Sequence, residues 1–117
     1  MKIAGLRIHE VASRQYVRDE HARLWDETAV KQLFGWVHPN ATARACLAAI
    51  ENSDNFNGFE IFNIHAKTTA QDIPSRELAQ KYFPGAKIAE DWGKTNEGFW
   101  TTEKAERILK WDHYETE

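Results

Sequence analysis

The chain has 117 residues, 42% of them hydrophobic and 28% charged, with a net charge of −3. That length and mixture fit one folded domain spanning 1–117, with enough apolar mass to form a core. Acids and bases are interspersed without a basic stripe, which argues against a nucleic-acid partner, and no apolar run is long enough for a membrane span.

The start, MKIAGLRIHE, has one lysine, a short apolar run and no cleavage-like site, so it reads as a strand and not as a signal peptide. Ile3 to Ile8 is the first expected strand. Residues 13–20, SRQYVRDE, are polar and read as a loop. In HARLWDETAVKQL, Ala22, Trp25, Ala29 and Leu33 recur at roughly helical spacing, which predicts one helix or two short ones. FGWVH, 34–38, is aromatic and β-branched and predicts a second strand, stopped by Pro39. Asn40 then suits a helix N-cap, and this helix start is the better reading of the lone Asn40-Ala41-Thr42 sequon. Ala43, Cys46, Leu47 and Ile50 lie on one helical face, expected to point inward. NSDNFNG, 52–58, is turn chemistry, and FEIFNI, 59–64, reads as a third strand covered on both faces.

A further helix is expected after Asp72-Ile73-Pro74-Ser75, with Leu78, Ala79 and Tyr82 inward and Pro84-Gly85 ending it. AKIAED is a candidate short strand and DWGKTNEG a loop. Thr101 or Thr102 should cap a last helix whose inner face is Ala105, Ile108 and Leu109, with Glu103–Arg107 and Glu106–Lys110 as i,i+4 pairs. The sum is an α/β domain of two or three layers, with a short parallel sheet (about 3–8, 34–38 and 59–64) and about four helices.

Chemistry is sparse. The six glycines are isolated, so no phosphate-cradling loop can be drawn, and the five histidines are scattered without metal-ligand spacing. Cys46 is the only cysteine, which excludes an intrachain disulfide and points to a reducing compartment, the cytoplasm. Its place on the expected inner helix face reads as a small core residue, not a nucleophile. Glu90-Asp91 and Asp19-Glu20 read as solvated carboxylates. His9-Glu10 follows the first strand, and Trp36 and His38 come off the second. Ligands in open α/β sheets bind beyond the carboxyl ends of strands, so these four residues are the candidate substrate-binding set.

Five stretches taken together resemble the C-terminal, substrate-binding part of the extended short-chain dehydrogenase/reductase family, the NAD-dependent epimerases and dehydratases. GLRI resembles its late core strand, and FGWVHPNATARACLAAIE its Tyr-Val/Ile-His strand leading into an alanine-rich helix. GFEIFNI resembles the following strand, DIPSRELAQKYFP the next helix, and TTEKAERILKW the closing Leu-Gly-Trp signature. Order and spacing agree from Ile3 to Trp111. In that family the glycine-rich cofactor loop, the catalytic serine and the Tyr-xxx-Lys pair precede this region, and none can be placed here. The resemblance therefore implies no bound cofactor, no catalytic residues and no redox activity for this chain alone. The family's nucleotide-sugar arginines fall at Phe34 and Asp91, its asparagine at Glu10 and its glycine before the closing tryptophan at Lys110, while His38 matches. This implies a free-standing binding or interaction module that takes some other small ligand or none, or one subunit of an enzyme completed by a separate dinucleotide-binding protein, or, third, a decayed fragment that still folds. In the family, strands like 3–8 and 59–64 belong to a larger sheet. An exposed edge or apolar face should then remain, and a homodimer is the expected way to bury it.

Overall fold

The computed structural model describes all 117 residues. Two strands, Ile3–Ile8 (β1) and Phe59–Ile64 (β2), pair in parallel, in register from Ile3 opposite Phe59 to Ile8 opposite Ile64. A parallel pair needs a crossover, and helix α2, Pro39–Glu51, lies within it. Helices α1 (Arg14–Arg23), α3 (Ser75–Tyr82) and α4 (Glu103–Leu109) complete an α/β fold.

The inner face of the sheet carries Ala4, Leu6, Phe62 and Ile64, which pack with Ala41 and Ala45 of α2, Ala105 and Leu109 of α4, and Trp111. The outer face is bare: Ile3 is 47% and Phe59 59% exposed, and Gly5 lies against the Phe59 and Ile61 side chains. The expectation that 59–64 is covered on both faces thus holds on one side only.

Several local expectations differ from the structure. The segment expected as strand 34–38 enters the sheet region through a single parallel bridge, Val37 to Val11. Leu33 and Phe34 take left-handed backbone angles (φ 51° and 59°), so the chain turns where a strand would run. Residues 13–20, expected as loop, instead cap and form most of α1, whose Ser13 Oγ accepts from the Tyr16 N–H at 3.2 Å. Its buried side chains are Arg14, Val17 and His21, two of them ionisable, so no apolar period was visible. A π-helical turn, Trp25–Ala29, follows in the region where a second short helix was one of the alternatives. AKIAED adopts no strand.

α2 presents the opposite face from the one expected. Ala41 and Ala45 are buried, whereas Cys46, Leu47 (54% exposed) and Ile50 (74%) face outward. The small side chains let the helix approach α4 and the closing tryptophan: Trp111 Nε1–H donates to the Ala41 carbonyl at 2.9 Å, and Asn52 Nδ2 donates to the Leu109 carbonyl at 2.8 Å. A larger side chain at 41 or 45 would hold these groups apart. The N-cap is His38, not Asn40: its Nδ1 accepts from the Asn40 N–H at 3.1 Å. In α4, Thr101 Oγ1 accepts from the Glu103 N–H at 3.1 Å, and the Glu103–Arg107 pair forms at 3.3 Å. Glu106 instead meets Lys67 at 3.0 Å.

Candidate functional site

Both parallel strands are followed by a histidine. β1 ends at Ile8 and β2 at Ile64, the last pair in register, so His9 and His65 leave the sheet side by side. Their rings meet edge-on with centroids 5.0 Å apart, and Trp100 closes on His9 edge-on at 4.4 Å. His65 Nδ1 lies 2.7 Å from the Ala66 carbonyl, a contact that places the proton on Nδ1. Its buried Nε2 is then a lone-pair acceptor without a protein partner. Gly35 makes room for this arrangement, because a Cβ there would run into the His9 ring.

Beside this pair lies an open cleft of about 510 Å³ lined by Arg7, Ile8, His9, Glu10, Lys31, Gln32 and Trp100. Burial, with a smaller contribution from His65, lowers the pKa of His9 to about 4. Burial also lowers His65. Both imidazoles are therefore neutral near pH 7 and offer hydrogen bonds instead of charge. Positive charge at the cleft comes from Arg7 and Lys31. Burial, and then the nearby Glu20 carboxylate, raise the Glu10 carboxyl. Glu10 Oε2 lies 3.3 Å from Nε2 of the fully buried His21, itself lowered by burial. His21 Nδ1 in turn lies 3.3 Å from the Gln71 side-chain amide. Of this chain of polar groups, Glu10 lines the cleft.

Of the four candidate residues, the structure brings His9 and Glu10 to this cleft. Trp36 is fully buried with Val17, Ala66 and Ala70, its ring edge-on to His113 at 5.1 Å. His38 is occupied as the α2 cap, and its backbone N–H donates to His113 Nε2 at 3.1 Å. The residues missed by sequence reasoning are His65, Trp100, Arg7, Lys31 and Gln32. One signal for His65 was present: RIH and NIH end the two strands in the same way, and a parallel in-register pair would set the two histidines together. Trp100 had no such signal, because it arrives on a loop with no period.

No group of three or more histidine, cysteine, aspartate or glutamate side chains is arranged to hold a metal ion. No helix is long and apolar enough to cross a membrane. No family model matches the chain, and no curated protein or solved structure is significantly similar to it.

Proposed function

We propose that this chain is a non-catalytic binding module, a relative of the substrate-binding part of NAD-dependent epimerases and dehydratases, which takes a small polar ligand in the His9–Glu10 cleft. The observation that carries this reading is the meeting of His9 and His65 at the carboxyl ends of two parallel strands, under Trp100 and beside the 510 Å³ opening. Strand ends of this kind are where open α/β sheets bind ligands. Neutral imidazoles supply a donor and an acceptor, while Arg7 and Lys31 favour an anionic substituent. The test is a series of two-dimensional NMR titrations with hexoses and hexose phosphates. Saturable shifts at His9, Glu10 and the Trp100 indole, abolished in His9→Ala, support the reading. Shifts confined to other regions, or tight NADH binding in calorimetry, overturn it.

The bare outer face with Ile3 and Phe59 favours a homodimer built through that face, since exposed apolar sheet surface is a liability that association removes. Light scattering coupled to size exclusion reads this directly, and a stable monomer at high concentration counts against it. The alternative, a subunit of a split epimerase or dehydratase, uses the same face for a dinucleotide-binding partner. It predicts that NAD(H) binds only after that partner is added.

A further inference from the structure

A second opening, sharing no lining residue with the histidine cleft, lies between α3 and the segment 83–99. Its volume is about 400 Å³, and eight of its nine lining residues are hydrophobic. Phe83, Trp92 and Phe99 supply aromatic walls, with Trp92 edge-on to Phe99 at 5.0 Å and Phe83 edge-on to it at 6.3 Å. Leu33 reaches the pocket from a left-handed backbone position (φ 51°), a conformation costly for a branched residue. Lys87 is the single charge among the lining residues, and no acid lines the opening.

An apolar hollow beside a loop would ordinarily collapse, and here the lip is fastened. Arg76 of α3 donates through Nε to the Trp92 carbonyl at 3.1 Å, and through one terminal nitrogen to the Ala89 and Glu90 carbonyls at 2.6 and 2.8 Å. The Arg76 backbone N–H donates to the Gly93 carbonyl at 2.9 Å. Gly93 (φ 81°) permits this, because a Cβ there would sit 2.7 Å from the Arg76 nitrogen. At the other end, the Ala86 N–H donates to the Phe83 carbonyl at 3.0 Å. The pocket is thus held open by hydrogen bonds that do not cross it, which is the preformed character of small-molecule sites.

We infer that this pocket is a binding site for a flat aromatic carboxylic acid. Its ring would lie among Phe83, Trp92 and Phe99, and its carboxylate would sit at the rim by Lys87. The size suits a small molecule, not a helix of a partner protein. The aromatic walls favour a ring through edge and offset contacts, and the lone cation selects an acid over its neutral analogue.

The probe is 1-naphthoate, titrated by calorimetry and by two-dimensional NMR against the wild-type protein, Ala86→Trp and Lys87→Glu. Circular dichroism checks that both variants keep the fold. The expected result is saturable one-to-one binding with shifts at Leu33, Trp92 and Phe99. Ala86→Trp fills the mouth from the exposed rim and should weaken binding roughly tenfold or more. Lys87→Glu should weaken naphthoate about fivefold while leaving 1-naphthamide unchanged. Absence of saturable binding by the wild-type protein overturns the site. So does unchanged affinity in Ala86→Trp with its fold intact. Equal binding of naphthoate and naphthamide overturns the assigned ligand class. Because these residues do not line the histidine cleft, failure here leaves the cleft's own titration unaffected, and the reverse also holds.

Discussion

The two halves of the domain satisfy their backbones in different ways. Around the sheet, β1, β2, α2 and α4 use regular ladders and bury one continuous apolar cluster. Residues 65–102 hold one short helix, and the rest of that segment is fastened by isolated backbone bonds, such as Thr69 N–H to the Asn96 carbonyl and Gly98 N–H to the Lys67 carbonyl, together with single side chains. Arg14 donates to the Thr69 and Gln71 carbonyls at 3.2 and 2.9 Å, Asn96 to the Gln71 carbonyl at 3.0 Å, and the Ser75 hydroxyl to the Glu97 carbonyl. Buried backbone groups must be paired in either half, and where a regular ladder is missing, isolated backbone bonds and polar side chains together supply the partners. The lesson is that in an irregular segment one arginine can pair carbonyls that no ladder reaches, which concentrates part of that segment's stability in one residue.

If that contrast is sound, the largest effect should come from the ladder half. Trp111→Ala removes a buried ring from the main cluster along with its bond to Ala41, and should destabilise by about 3–5 kcal/mol in urea denaturation. A loss under about 1 kcal/mol would mean that the chain end is not holding the core.

Arg14→Met tests the fastened half. It keeps most of the apolar stem and deletes the bonds to two carbonyls and to the exposed Asp72 carboxylate at 2.6 Å. The carbonyls carry most of the effect, about 2–3 kcal/mol, because an exposed carboxylate contributes little. Amide exchange should accelerate at 69–72 and leave α2 slow. Uniform acceleration across the domain would erase the distinction between the halves.

Acid should act through the imidazoles. Burial is the leading cause of lowered pKa for His9, His21, His65 and His113, to about 4 for His9. Each folded pKa lies below the unfolded value near 6.5. Their contribution is therefore complete above that value and is lost as pH falls toward the folded pKa values. The urea midpoint should fall between about pH 7.5 and about pH 5, and His9→Gln should flatten that fall. An unchanged midpoint would show that these rings are solvated in the folded protein.

The smallest expected effect has the opposite sign. Lys110 ends α4 in a left-handed conformation, φ 58° and ψ 33°, where glycine carries no steric penalty. Lys110→Gly should stabilise by about 1 kcal/mol, read as a higher urea midpoint. A loss of stability would show that the lysine side chain makes a compensating contact.

The contrast between halves also accounts for what could be read in the sequence. β1, β2, α3 and α4 were visible because apolar runs and caps announce them. The position of α2 was visible, but its inner face was not. Hydrophobicity favours Leu47 and Ile50 as the inner residues, while the close approach of Trp111 selects Ala41 and Ala45. α1 was hidden because its inner face is built from Arg14 and His21. Of the site, His9 and Glu10 were legible from strand ends. His65 required knowing the register, and Trp100 required knowing the path of a loop fastened by long-range side chains.

Gly35 has a wider consequence. The space that it leaves is filled by the His9 ring, so the shape of the cleft depends on a side chain that is not there. Any side chain at 35 would displace the His9 ring, and with it one wall of the cleft. Position 35 is therefore a single site at which a lineage, or a designer, could reshape the cleft through the ring that fills it.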